Sequence, residues 1–516
     1  MDNTEATEEV RSILAGCMAG KQMLVCFFCL GPTDSDFSIS CAQITDSPYV
    51  VHSESILYRA GYEQFKRIGE GKFFRFIHTQ GELTETGTSK NIEKRRIYMA
   101  LEDNIVYSTN TQYAGNTVGL KKLALRLAIQ KATSEGWLAE HMFVMGAHGP
   151  NGRVTYFTGA FPSACGKTST SMLPGQTIVG DDIAYFRKKD GKMRCVNVEQ
   201  GIFGIIKDVN PDDDPVINKA LIDPGEVIFG NVLISDDLKP YWLGMGEDVP
   251  ESGTNYSGKW TAGKKDDKGN EITCSHKNAR YTIRISSLAN RDPQADNPEG
   301  VEVGGIIYGG RDSDTLVPVE QAFDWTEGII AKGASIESET TAATIGQEGV
   351  RKFNIMANMD FVSIPLGSYI QKNLDFADGV DKVPSIFSVN YFLKDEDGNY
   401  LNGILDKMVW ILWAELRHNG DVEAIKTPTG YIPLYEDLVK LFKDKLGEDY
   451  AKEAYTKQFT VRVPNLLAKI DRVEAIYKAK VADAPQVVYD VFDAQRTRLK
   501  EAQAKHGDNI SPFDLL

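Results

Sequence analysis

Residues 153–182, RVTYFTGAFPSACGKTSTSMLPGQTIVGDD, carry the pattern on which the fold turns. RVTYFTGAF (153–161) reads as a strand, SACGKTST as a turn entering a helix, Pro174-Gly175 as the end of that helix, and QTIVGDD (176–182) as the next strand. FPSACGKTS (161–169) puts Gly166, Lys167 and Thr168 at the helix start. There, backbone N–H groups and the Lys167 ammonium can cradle phosphates while Thr168 reaches a magnesium ion. The loop departs from the strict G-x-x-x-x-G-K-[ST] spacing, because Phe161 holds the first glycine position and Gly159 lies two residues too early. A bare Gly-Lys-Thr also fits a plain turn before a helix. Asp181-Asp182 tips the balance toward phosphate: thirteen residues after Thr168, it ends the next strand, where carboxylates reach a ligand crevice. Cys165 sits beside Lys167 and the helix start, an environment that predicts a lowered thiol pKa. A small residue filling a tight loop is an equal reading, and no nucleophilic role is assigned to it.

Outward from this unit, helical and strand patterns alternate along the chain without internal repeats, which predicts an α/β fold with mixed, α+β-like sheets. Residues 119–136 (GLKKLALRLAIQKATSEG) space Leu120, Leu123, Ala124, Leu127, Ala128 and Ala132 as one face of a helix. Residues 302–311 (EVGGIIYGGR) read as a buried strand, and 403–420 as a helix with Leu405, Met408, Val409, Leu412, Trp413 and Leu416 inward. The polar, glycine-rich stretch 251–270 predicts a long surface excursion. A seam near Trp137 divides an N-terminal domain, 1–136, from a C-terminal phosphate-binding domain, 137–516. The second is expected to hold an inserted substrate subdomain at about 196–300 and a lid at 333–349.

With 57 Lys+Arg against 72 Asp+Glu, the formal charge is −15 on 516 residues, which argues against binding nucleic acid through general basicity. Hydrophobic residues at 42%, aromatic at 10% and charged at 25% match an ordinary globular protein rather than a disordered one. The start, MDNTEATEEV, is acidic where an export signal is basic and then apolar. The apolar run MLVCFFCL (23–30) is too short to span a membrane and reads as a buried strand. Cys17, Cys26, Cys29, Cys41, Cys165, Cys195 and Cys274 are odd in number and scattered, which fits a reducing cytoplasm better than a disulfide framework. Cys26 and Cys29 form a C-x-x-C without a second pair or a nearby histidine.

Six ordered stretches carry a family resemblance: TDSPYVV, YAGN followed by LKKLALRLA, SEGWLAEHM, AFPSACGKT, VGDDIAYF and IIYGGR. The chain resembles the GTP-type phosphoenolpyruvate carboxykinases, from about Cys17 into the C-terminal third. The resemblance implies reversible conversion of oxaloacetate and GTP into phosphoenolpyruvate, CO2 and GDP by a monomer, with no nucleic-acid or membrane partner. It makes Lys122, His141 and Asp182 ligands of a catalytic Mn2+, and gives Thr168 and Asp181 the Mg2+ or Mn2+ of the nucleotide. Arg280 and Arg311 match its phosphoryl and substrate arginines. Asn278, Tyr113 and Gly115 match substrate contacts, and Ser163 the serine facing oxaloacetate. The loop residues Ala164, Cys165, Gly166, Lys167 and Ser169 fall to the phosphates, and Phe392 and Tyr400 to the base. The chemistry coheres: decarboxylation leaves an enolate whose charge a divalent cation and arginines stabilise, and its oxygen then attacks the terminal phosphoryl group. A lysine ligand must be neutral, so Lys122 would need its pKa depressed by the adjacent cation. Taken singly, Lys121-Lys122 would be a solvated helix face, His141 a satisfied histidine, and Arg280 and Arg311 surface ion pairs. Residues 333–349 (GASIESETTAATIGQEG) align with the family's mobile lid, although by composition a helix starting near Ser338 fits as well.

Three differences stand against the family pattern. The segment that usually precedes Gly16-Cys17-Met18, with a substrate-binding arginine, is expected to be missing; Glu337 replaces the lid's arginine; and Ile404 and Lys407 stand where the base pocket has an aromatic and an asparagine. These leave two alternatives: a relative using pyrophosphate or another donor, or phosphorylating a different small acid, and a non-catalytic phosphate-binding homologue.

Overall fold

The computed structural model describes residues 3–69, 73–85, 87–112, 121–163, 165–340 and 349–516. The chain separates into two compact units, Met1–Ala124 with Val198–Arg291, and Leu125–Asn197 with Asp292–Leu516. Residues 198–291 group with the first unit, whereas the sequence predicts an inserted subdomain at about 196–300 within the C-terminal domain.

In the first unit, the apolar run at residue 24 becomes the strand Leu24–Leu30, which pairs antiparallel with Ile39–Thr45. Only its second half is buried, Phe28 to Leu30, while Val25 remains 48% exposed. Cys26 and Cys29 lie three residues apart on this strand and so point to opposite faces. Ile39–Thr45 continues in parallel to Phe74–Thr79 and then Ile105–Thr109, completing a six-stranded mixed sheet among the described residues. The helix Pro48–Leu57 starts at Ser47, whose hydroxyl accepts from the Val50 N–H, with Pro48 at the first helical position. A second sheet sets Arg280–Arg284 between Gly201–Ile205 and Ile228–Gly230. The expected excursion at 251–270 is exposed over most of its length and is built on a hairpin: Ser252–Asn255 with Gly258–Thr261 closes a four-stranded sheet over buried Leu233, Trp260 and Cys274. Trp260 drives this by burying its ring and donating Nε1–H to the Ile272 carbonyl at 2.7 Å.

The second unit is organised on an 11-stranded mixed sheet among the described residues. Val301–Gly309 lies between Val154–Ala160 and Ser385–Val389, parallel to both, and its glycines let aromatic rings close on the backbone. A Cβ at Gly309 would meet the Phe161 ring at 2.1 Å, and one at Gly305 the Phe157 ring at 2.3 Å. The 403–420 pattern yields the helix Asp406–His418 with Met408, Val409, Leu412 and Trp413 buried, as the spacing predicts. Leu405 differs: it precedes the helix and is exposed, because the chain has not yet turned its face to the core. No helix among the described residues is long and apolar enough to cross a membrane.

Glu54 marks a cost within the first unit. It is 1% exposed, and among the described residues neither carboxylate oxygen has a hydrogen-bond partner. Burial pushes its pKa well above the ordinary 4.5. The folded chain thus keeps a proton that the unfolded chain releases, so stability falls as pH rises from about 4.5 toward the folded pKa, by roughly 1.4 kcal/mol per unit. Glu54→Gln is expected to raise Tm at pH 8 and to change it little at pH 4.5; an equal shift at both would contradict this account.

Candidate active site

The strand Val154–Ala160 delivers the chain to Phe161 and Pro162, both buried, after which the loop turns back so that the Cys165 N–H donates to the Pro162 carbonyl at 3.2 Å. Gly166 takes φ +97°, in the left-handed region, with Tyr391 ring atoms 3.0 Å from where a Cβ would stand. Glycine is required there on both counts. The helix that follows is only Lys167–Ser171, tied down by Thr170 Oγ1 donating to the Gly166 carbonyl at 2.7 Å. Ser163 is exposed on the loop, and Thr168 and Ser169 are half-buried; Ala164 lies outside the described residues. Cys165 departs from expectation: it is 1% exposed with Sγ 3.2 Å from Ser338 Oγ, and burial raises its pKa. Loss of water around the thiol outweighs the Ser338 hydroxyl and the Arg311 charge, which act the other way, so the expected activation is not realised.

That cation, Lys167, contacts Asp182 Oδ1 directly and lies 2.9 Å from His141 Nε2, while His141 Nε2 and Asp182 Oδ1 are 3.0 Å apart. Asp182 follows the strand Thr177–Gly180, and a Cβ at Gly180 would meet the Asn197 side chain at 2.0 Å, so the strand end fits only as glycine. Beside it, Asp181 is 7% exposed and accepts from Ser171 Oγ at 3.4 Å. His141 follows the strand Leu138–Glu140, packs on Phe361 with ring centroids 4.7 Å apart, and points Nδ1 at the Ala357 carbonyl, 3.0 Å away. The Ala357 carbonyl only accepts, so Nδ1 carries a hydrogen, and in the neutral ring Nε2 keeps the lone pair that faces the Lys167 ammonium. An imidazole nitrogen and a carboxylate oxygen converging on one cation are two donors of the kinds divalent metal ions accept. Among the described residues no cluster of three His, Cys, Asp or Glu adds to them.

Arg311 follows the end of Val301–Gly309. Its guanidinium stands 3.7 Å from the Phe392 ring centroid and donates to Tyr400 Oη at 3.2 Å, and its backbone N–H donates to Ser338 Oγ at 3.1 Å. Phe392 and Tyr400 lie 6.1 Å apart edge to face, and Ile404 is 63% exposed. Ser338 belongs not to a helix but to the strand Glu337–Glu339, which pairs with Arg351–Phe353. Residues 341–348 of the expected lid lie outside the described residues. Glu337 is forked onto Arg472, at 3.1 and 2.8 Å, so the anion at this position has its own cation.

In the first unit, Arg280 Nη2 and Nε donate to Asn278 Oδ1 at 2.8 and 3.1 Å, and the guanidinium stands 5.3 Å from the Phe203 ring centroid. Arg280 and Phe203 face a cavity of about 490 Å³, lined also by Ser47, Gln80, Gln112 and Phe229, a volume suited to a small metabolite. The two lysines of the Lys-Lys pair differ in burial. Lys121 is 7% exposed and pairs at 3.3 Å with Glu199, itself 1% exposed, whereas Lys122 is half-buried at the start of the helix Lys122–Glu135. Tyr113 and Gly115 lie outside the described residues.

Sequence reasoning missed the Ala357 carbonyl, the Phe361 ring and Arg472. None carries a motif, although each lies on an element that packs against a residue that does.

The family model for the phosphoenolpyruvate carboxykinase N-terminal domain matches residues 1–133, and that for the phosphoenolpyruvate carboxykinase C-terminal P-loop domain matches residues 137–498. The chain is 58% identical over 516 residues to the phosphoenolpyruvate carboxykinase (GTP) of Thermococcus kodakarensis, covering all of this chain and 82% of that protein. It is 57% identical over 518 residues to the enzyme of the same description from Pyrococcus abyssi, covering all of this chain and 83% of that one. The corresponding protein of Chlamydia abortus is 36% identical over 517 residues, with 97% of this chain and 83% of that one covered. A phosphate loop, a paired imidazole and carboxylate beside its lysine, and domain matches across nearly the whole chain agree: the protein belongs to the phosphoenolpyruvate carboxykinase family.

Proposed function

We propose that the protein is a metal-dependent phosphoenolpyruvate carboxykinase interconverting oxaloacetate and GTP with phosphoenolpyruvate, CO2 and GDP. The observation that carries this reading is the seating of the Lys167 ammonium against His141 Nε2 and Asp182 beside the phosphate loop. His141 and Asp182 would hold Mn2+, with Lys122 as the third protein ligand, while Thr168 and Asp181 serve the Mg2+ or Mn2+ of the nucleotide. Bound there, the divalent ion supplies positive charge to the enolate oxygen formed on decarboxylation and to the phosphoryl group that oxygen attacks.

The chain's own groups do the rest. Arg280, held by Asn278, anchors a carboxylate of oxaloacetate, with Ser163, Tyr113 and Gly115 completing the substrate contacts. When the C–C bond to the departing carboxylate breaks, its electron pair enters the enolate. The enolate oxygen then displaces GDP from the terminal phosphorus. Lys167, with the N–H groups of Ala164 to Ser169, neutralises the triphosphate, and Arg311 steadies the group in flight. Phe392 and Tyr400 offer aromatic faces to the base. Guanine as that base is inferred from the relatives, whose described donor is GTP at 58% and 57% identity. The exposed Ile404 supports the competing reading of a base-independent donor such as pyrophosphate.

Oxaloacetate decarboxylation with Mn2+ and no phosphoryl donor is expected in the native protein and lost from Lys122→Ala. In the coupled assay of phosphoenolpyruvate formation, Asp182→Asn is expected to lower kcat/KM by on the order of 10²–10³-fold. Wild-type rates in either variant would remove the metal assignment. Among donors, GTP is expected to give a higher kcat/KM than ATP and pyrophosphate. Phe392→Ala should raise the KM for GTP by about 10-fold or more, as loss of base stacking does, with kcat little changed. Equal use of pyrophosphate would favour the alternative donor.

A further inference from the structure

Two successive residues at the end of one strand, the last within it and the next just past it, grip two successive residues of one turn. His141, just past the strand Leu138–Glu140, takes the Ala357 carbonyl on Nδ1 at 3.0 Å. Glu140, pointing the other way into the core, accepts from Asn358 Nδ2 at 2.9 Å. Tyr369 Oη donates to the same carboxylate oxygen and accepts from Asn358 Nδ2 at 2.9 Å, while Asn373 Nδ2 lies 3.5 Å from the other oxygen. All four groups are buried, with Glu140 at 1%, Asn358 at 0%, Tyr369 at 2% and Asn373 at 3% exposure.

The gripped turn is not a conformation the backbone adopts unaided. Met356 and Ala357 both lie in the left-handed region, at φ +48° and +50°, where side chains with a Cβ are disfavoured by roughly 1–2 kcal/mol each. Neither is glycine, and both are buried. Surroundings must hold the turn, and the anchoring contact next to it is the Asn358 amide on Glu140. The Ala357 carbonyl so presented is what places hydrogen on Nδ1 and leaves Nε2 its lone pair.

We propose that Asn358, anchored by the buried Glu140 and Tyr369 pair, is a positioning residue: it fixes the Ala357 carbonyl against His141 Nδ1 and so holds the His141 Nε2 lone pair ready for a divalent cation. This rests on the assignment of His141 as a metal ligand. A buried network with a purely structural role would alter stability without altering the histidine, which separates the two.

The test uses the full-length protein, with Asn358→Ala, Tyr369→Phe and His141→Ala beside the native chain. Mn2+ affinity is measured from the EPR signal of free Mn2+ without nucleotide, and the His141 tautomer from ring 15N shifts of the metal-free protein. In Asn358→Ala, Mn2+ binding is expected to weaken about 10–100-fold, the usual cost of losing an outer partner of a metal-bound histidine, and the single Nδ1–H tautomer to give way to a mixture. Tyr369→Phe should move both readouts the same way by less, and it decides the matter if Asn358→Ala does not fold. Folded variants with native Mn2+ affinity and an unchanged tautomer would overturn the proposal while His141→Ala still loses the metal. If His141→Ala binds Mn2+ as the native protein does, the metal assignment itself fails and the proposal falls with it.

Discussion

One carboxylate, that of Asp182, governs the geometry of the second unit's site. It stands at 9% exposure where a buried strand ends, and an anion so placed must have a cation or it will take up a proton. Lys167 supplies that cation from the phosphate loop, with His141 Nε2 as its other neighbour. The loop, the strand end and the histidine are therefore mutually fixed by charge before any ligand arrives. A divalent ion bound by His141 and Asp182 would leave Lys167 free to meet phosphate oxygens. Metal and nucleotide sites then share a residue whose partner depends on what is bound.

Charge pairing also explains features that look anomalous one residue at a time. Glu337, an anion where the family pattern has an arginine, is held by Arg472. Lys121, beside the proposed ligand Lys122, pairs with the buried Glu199, which Tyr58 Oη also contacts at 3.2 Å. The Lys121–Glu199 pair is buried on both sides, where removal of one partner costs far more than the pair contributes, whereas Arg472 reaches Glu337 from a partly exposed position. Glu54 is the exception: among the described residues neither of its carboxylate oxygens has a hydrogen-bond partner, and burial raises its pKa.

Local periodicity made the framework legible. The strand, loop, helix and strand of 153–182 and the inward face of 406–418 follow from spacing alone, as does the place of Asp182 just past a strand end. His141 was a different case: a lone histidine has many uses, and only the ordered set of flanking stretches gave it a role. What stayed hidden was set by long-range packing. Arg472 meets Glu337 across 135 residues, Cys165 loses its expected activation because it is buried, and the left-handed residues Met356 and Ala357 are themselves neither glycine nor asparagine. The 251–270 stretch is an exposed excursion, as its composition predicts, and what composition did not show is that its glycines serve a hairpin and a close strand approach.

The central claim is that the Lys167 ammonium occupies, between His141 and Asp182, the place of a divalent cation. Anomalous diffraction at the manganese edge, from crystals grown with Mn2+ and compared with metal-free ones, tests it directly. The account predicts a peak about 2.0–2.3 Å from His141 Nε2 and an Asp182 oxygen, with Lys167 Nζ moved beyond hydrogen-bonding reach of Asp182. Lys167 still seated on Asp182, with the manganese peak away from His141, would contradict it.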